Sequence, residues 1–215
     1  MNCCRPPGCE DVFTQAQAER DLRRYRRRGL PGTAAWLRDA LVREGVDGET
    51  VLEIGGGIGS LQVELLEAGA SSALNLELVD SYEAAAHSLA RERAVEGRAE
   101  RRLGDLVGAH DIVPRSSLVV MHRVVCCYPD WEGLLGAAAS RAERRLALTF
   151  PTARWWVRLG FRAMNGWLRL RRSAFRAYLH PPGQMLAFAR RAGFQVADER
   201  RGALWSSVVL ERAAA

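Results

Sequence analysis

Glu53, Gly55, Gly57 and Gly59 alternate along one short stretch of the chain, and Glu77 follows after room for a helix and a second strand. Glycines so spaced leave no side chains between the backbone and whatever lies above a strand's end. A nucleotide-like ligand would suit that opening. In the dinucleotide fingerprint the glycines let a pyrophosphate approach a helix N-terminus, and Ser60 stands where its third glycine or alanine belongs. Glu53 argues against a pyrophosphate, because a carboxylate aimed at the loop repels it but pairs with a cationic amino-acid moiety. Glu77, at the end of the second strand, can accept hydrogen bonds from both hydroxyls of a ribose. Two acids at neighbouring strand ends specify more than either alone.

Further along, Gly104-Asp105 follows a weak third strand, and Asp105 either caps the next segment or enters the ligand site. His122 opens the segment His122 to Asp130, expected at the carboxyl edge of the sheet where substrates meet a bound cofactor. It is the imidazole best placed to act as a base, with a packed strand-end histidine as the plainer alternative. Tyr128 and Tyr25 could orient an acceptor. His180, before Pro181-Pro182, reads as structural, and Cys126-Cys127 as small apolar packers with nothing obvious to lower their pKa. Cys3, Cys4 and Cys9 invite a metal, but two are adjacent, no CxxC spacing exists and no nearby His completes a tetrahedral set, so no metal is assigned.

The elements that must position these residues alternate between strand and helix. Asp11 to Arg28 has a helical pattern, ended by Gly29 and Pro31-Gly32. A second helix, about Thr33 to Glu44, takes Thr33 as N-cap and buries Ala34, Leu37, Leu41 and Val42. Val51 to Ile54 is a buried strand, Ser60 to Ala68 a helix closed by Gly69, and Ala73 to Leu78 a strand leading to Asp80-Ser81 as a cap for the helix Tyr82 to Glu96. Glu100 to Leu103, Leu118 to Met121 and Arg145 to Phe150 are further strands, the last preceded by a helix from Ala137 to Arg144. Helix Pro182 to Ala192 precedes two final strands, Phe194 to Arg200 and Leu204 to Leu210, in hairpin relation through Arg201-Gly202.

Between strand five and that helix, Arg154, Arg158, Arg162, Arg169, Arg172 and Arg176 recur at helical spacing, with Asn165 completing the stripe and Trp155, Trp156, Phe161, Met164, Trp167 and Leu168 on other faces. This segment is either a solvated arginine face on a packed cap helix or a basic, aromatic wall for an acidic, planar or membrane-associated substrate. Seven arginines and no acid within Arg154 to Arg176 exceed the whole net charge of +6, so the basicity is local and implies no general nucleic-acid role. At 215 residues the chain suits one domain with a sizeable core and a small cap. With no apolar run long enough to span a membrane, no signal peptide in the first residues and an odd count of 5 cysteines, a cytoplasmic protein with reduced thiols is expected.

Taken together, the Glu53-x-Gly55-x-Gly57-x-Gly59 spacing, Glu77, Asp105, the strand alternation and the terminal hairpin resemble a class I S-adenosylmethionine-dependent methyltransferase. The resemblance implies an α/β fold, a Rossmann-like seven-stranded methyltransferase sheet with its last strand antiparallel plus helical lid elements. Residues 1–32 would form a tail and lid helix, and 33–215 the methyltransferase domain with a helical cap insertion at about 152–180. It also implies S-adenosylmethionine as cofactor, with Glu53 near the methionyl amine, Gly55, Gly57 and Gly59 beneath the sugar and carboxylate, Glu77 on the ribose, Asp105 near the adenine amino group and His122 beside the methyl. Tyr25 and Trp36 become lid candidates. Tyr25-x-x-x-Gly29, Tyr128-Pro129 and the tryptophan-rich cap are similar to magnesium-protoporphyrin O-methyltransferases, although Cys127 stands where that family tends to have histidine. No Asn/Asp-Pro-Pro-Tyr and no Pro-Cys order is present, which counts against nucleic-acid methylation. The expected partner is therefore a small acidic or planar/aromatic acceptor methylated on oxygen, with transient membrane-surface contact left open and the oligomeric state unassigned. The alternatives are a non-catalytic or RNA-directed protein using the arginine-rich cap, and an NAD(P)-dependent oxidoreductase.

Overall fold

A computed structural model describes residues 6–109 and 113–213; Cys3 and Cys4 lie outside the described residues. Seven strands form one sheet: β1 (Thr50–Ile54), β2 (Ser72–Glu77), β3 (Ala99–Leu103), β4 (Ser116–His122), β5 (Ala142–Pro151), β6 (Phe194–Arg201) and β7 (Trp205–Arg212). Their order is β3-β2-β1-β4-β5-β7-β6. Neighbouring strands from β3 to β5 pair in parallel, while β7 lies antiparallel between β5 and β6. The expected sheet is the observed one, with the final hairpin folding back so that the last strand enters between its neighbours.

Both faces of the central strands are covered, which explains their near-continuous apolar sequence. Val51, Leu118 and Val120 face a core shared with α2 (Gln15–Arg28), α3 (Gly32–Arg43), α4 (Ser60–Glu67) and α5 (Glu83–Glu92). Leu52, Val119 and Met121 face the opposite core, built with α7 (Trp131–Arg141) and α9 (Pro182–Arg191). Short helices α1 (Cys9–Val12) and α6 (Leu106–Ala109) complete the pocket end, and α8 (Trp155–Leu170) follows β5.

Several boundaries differ from the sequence expectation for identifiable reasons. The first helical stretch breaks at Phe13, because Thr14 turns to extended backbone and its side chain caps α2 by accepting from Gln17 N at 3.3 Å. Thr33 is not the cap of α3. Pro31 holds that place, and the Thr33 hydroxyl is used elsewhere. Val42 is exposed, with Ala40 buried in its stead. Asp80-Ser81 lie in a 3-10 turn, and neither caps α5; Ser81 Oγ donates to the Phe13 carbonyl. Helix α5 stops at Glu92, with Ala94 left-handed at φ 52°. Helix α7 begins at Trp131 rather than Ala137, since Asp130 caps it by accepting from Gly133 N at 2.9 Å.

Candidate functional site

The site starts with the loop between β1 and α4. Gly55, Gly57 and Gly59 have φ of 63°, 59° and 71°, a region where a Cβ is strained. The space around them is taken as well. A Cβ on Gly55 would come within 2.8 Å of Val124 and one on Gly57 within 3.2 Å of Tyr82, while on Gly56 it would run into Glu53. Gly55 N extends the β1–β2 ladder to Leu76 O at 2.9 Å, and Gly56 N donates to Asn75 Oδ1 at 3.2 Å.

Period-two alternation places Glu53 of β1, Asn75 and Glu77 of β2 and Arg101 of β3 on one face of the sheet, under that loop. Glu77 accepts a hydrogen bond from Gly57 N and lines the cavity above. Burial holds its carboxyl above the usual value, opposed by the Gly57 N–H and by Arg101. Glu53 is placed differently: it is buried beneath the loop, does not form part of the cavity wall, and accepts from Gln62 N at 3.2 Å. Because Gly59 offers no side chain as N-cap of α4, Glu53 supplies the acceptor and the negative charge that this helix start favours. Burial pushes its pKa to about 7, a rise augmented by Glu77 and moderated by Gln62 N–H and Arg101.

Arg101 was not a sequence candidate. Its guanidinium donates to Gly57 O at 3.0 Å and to Glu83 at 3.0 Å, so the edge strand holds the carbonyl side of the loop while Glu77 holds an amide. Among the described residues Gln62 Oε1, Asn75 Nδ2 and Arg101 Nη2 are buried beneath this loop without a protein hydrogen-bond partner.

A cavity of about 390 Å³ opens over the carboxyl ends of β1, β2 and β4. It has the size of a small-molecule site. The loop and Glu77 form one wall, and Asp105, His122 and Tyr128 line others. Helices α1 and α2 and the link between them cover it through Cys9, Phe13, Arg24 and Tyr25. Tyr25, one of the two lid candidates, thus lines the cavity from α2. Trp36 does not line it and packs partly buried against the core.

The polar tips in the cavity are largely committed. Tyr25 Oη donates to Glu64 Oε1 at 3.0 Å and accepts from Arg93 at 3.2 Å, which turns the hydroxyl toward α4. Burial, then Glu64, raises its pKa, against the opposing charge of Arg93. Tyr128 Oη reaches both oxygens of Asp105, at 2.9 and 2.8 Å, and Asp105 also accepts from Val107 N at 3.1 Å. Asp105 thus both caps the start of α6 and lines the cavity. His122 Nε2 lies 2.9 Å from Thr33 Oγ1, and Arg123 donates to the same hydroxyl at 3.2 Å. Desolvation, then the neighbouring Arg123, lowers the His122 pKa to about 3, so the ring is neutral at physiological pH. His180 is structural in its contacts, its Nε2 within 3.1 Å of Val125 O and 2.9 Å of Tyr128 O.

Arg24 and Arg123 were also missed. Arg123 has φ 60°, lines the cavity, and lays its guanidinium 4.6 Å from the Trp205 ring centroid. Burial disfavours its charge, and Arg24 nearby adds to that effect. The neighbouring thiols touch, with Cys126 Sγ 3.8 Å from Cys127 Sγ. That hydrogen bond draws Cys126 below, and Cys127 above, the usual thiol pKa.

No protein-family model and no curated protein matches the chain. Solved structures do. Magnesium protoporphyrin IX methyltransferase from Synechocystis PCC 6803, with bound S-adenosylhomocysteine, is 22% identical over 95% of this chain and 97% of that one, with a TM-score of 0.74. An O-methyltransferase family 2 protein from Planctomyces limnophilus in complex with apigenin is 17% identical over 93% of this chain and 62% of that one, at 0.69. An S-adenosylmethionine-dependent methyltransferase from Mesorhizobium loti is 16% identical over 84% and 99%, at 0.64. At these identities the likeness is one of fold: the chain has the Rossmann-like methyltransferase fold.

Proposed function

We propose that this chain binds S-adenosylmethionine and transfers its methyl group to an oxygen of a small acidic, planar or aromatic acceptor. The observation that carries this is the pair of buried carboxylates, Glu53 and Glu77, at adjacent strand ends beneath a glycine loop whose backbone no side chain can share. The residues fit the cofactor: Glu77 would hold the ribose, the Gly55–Gly57 backbone would pass beneath it, Asp105 would meet the adenine amino group, and Glu53 would favour a positive amino-acid end through the loop. When bound, the cofactor supplies a methyl on a sulfonium that leaves as a neutral thioether, so strong acid or base groups are dispensable.

What the protein contributes is alignment and exclusion of water. Helix α2 covers the cavity, and Tyr128, tied to Asp105, fixes its rim. Arg24 and Arg123 give that rim positive charge, which suits an anionic acceptor. His122 with a pKa of about 3 is a poor base at neutral pH, which favours an acceptor oxygen that is already ionised. A carboxylate or an acidic phenol meets that condition, and no proton then has to leave.

Isothermal titration of the intact protein with S-adenosylhomocysteine tests the cofactor. Binding is expected, with Glu77→Ala weakening it about tenfold to a hundredfold through the lost charged hydrogen bonds. Binding of NADH instead, or no effect of Glu77→Ala, overturns the proposal.

A further inference from the structure

Helix α8 has an outward face with no partner among the described residues. Its inner side is fixed: Val157 and Leu168 are buried, Phe161 packs on the core, and Asn165 clamps Ala177 by donating to its carbonyl at 2.8 Å and accepting from its amide at 2.9 Å. At helical spacing this turns Trp155, Trp156, Leu159, Trp167 and Leu170 into one contiguous outer sector. Trp155 is 71%, Leu159 59%, Trp167 53% and Leu170 84% exposed. Such a patch of large apolar groups on a well-packed helix marks an interaction surface. Arg158, Arg162 and Arg169 run along one edge of the sector and are exposed as well. Arg171 lies 4.6 Å from the Trp167 ring centroid and Arg154 5.1 Å from that of Trp156.

We propose that α8 lies in the surface of an anionic lipid bilayer, with its tryptophans and leucines in the interfacial zone and its arginine edge among the headgroups. An amphipathic helix with aromatic and aliphatic groups on one face and arginines beside them has the physical form of an interfacial element. No helix among the described residues is long and apolar enough to cross a membrane, so α8 rests on the surface. Charge complementarity selects this occupant over a second copy of the chain. With seven arginines and no acid between Arg154 and Arg176, self-association would bring like charges together. A polyanion such as RNA would leave Leu159 and Leu170 in water. The irregular segment after α8 bonds through Tyr178 N to Cys126 O at 2.7 Å, beside the cavity-lining Cys127.

Flotation of the full-length protein with vesicles tests this without reference to turnover. The wild-type protein is expected to float with phosphatidylcholine/phosphatidylglycerol vesicles, to stay in solution with phosphatidylcholine alone, and to be released by high salt. Its tryptophan emission should shift to the blue on the anionic vesicles only. Combined Trp155→Ser, Leu159→Ser and Leu170→Ser should abolish flotation, and Arg158→Gln, Arg162→Gln and Arg169→Gln should weaken it about tenfold to a hundredfold. All six side chains are exposed, so an unchanged far-ultraviolet spectrum and unfolding midpoint will accompany the loss. The proposal fails if the wild-type protein ignores anionic vesicles, or if either variant floats as the wild type does. It also fails if the serine substitutions instead dissolve a dimer, or the glutamine ones instead abolish single-stranded RNA binding.

Discussion

Glu53→Gln isolates the electrostatic cost stored under the glycine loop. Burial raises the Glu53 pKa from 4.5 to about 7, so the folded protein holds this proton more tightly than the unfolded chain does. For an acid raised in this direction, stability is greatest below the unfolded value and declines as pH rises toward the folded one. Between those limits the displacement amounts to about 3 kcal/mol, all of it present as destabilisation by about pH 8 and nearly none at about pH 4.5. Glutamine keeps the acceptor for Gln62 N and removes the charge, while its new amide donor lies under the same loop as Gln62 Oε1, which has no protein partner. The variant should therefore be more stable than the wild type by about 1 to 3 kcal/mol at about pH 8, with the gap closing by about pH 5. Urea denaturation of the ligand-free protein across that range measures it. A gap independent of pH, or a variant less stable at the alkaline end, would refute the assignment of a strained carboxylate.

Two other outcomes follow from the same geometry. Gly55→Ala sets a Cβ at φ 63° and 2.8 Å from Val124, and should cost about 1 to 3 kcal/mol of stability, read by denaturant midpoint, along with cofactor affinity. The rate of methyl transfer, in an assay with labelled cofactor and a cell extract as acceptor source, should show no ionisation near pH 6.5 from His122, since its folded pKa is about 3; a step there that His122→Gln removes would restore the imidazole as a base.

The glycine loop, the strand alternation and the terminal hairpin were legible because each is a local pattern: spacing of glycines, apolar runs, a Gly turn between β-rich segments. The position of Glu53 was not, since a strand residue's face is visible in sequence but the path of the loop above it is not. His122 was found, yet its partner Thr33 comes from α3 far along the chain, and that contact removed Thr33 from its expected capping role. Arg101 and Arg24 were hidden among many arginines, with only the fold to distinguish them. The periodicity of α8 announced two faces. Which one met solvent depended on where Asn165 and Phe161 docked, so the tryptophans turned out to be the outer side.

Arg101 gives the region beneath the loop a fixed positive charge. Opposed by Glu53 and Glu77 and paired with Glu83, it offsets only part of the negative charge there, and the surplus shrinks when Glu53 is protonated. A pyrophosphate meets net repulsion over such a loop, while a cation does not. The edge strand, by lending one guanidinium to the middle of the sheet, tempers the charge on which the loop rests.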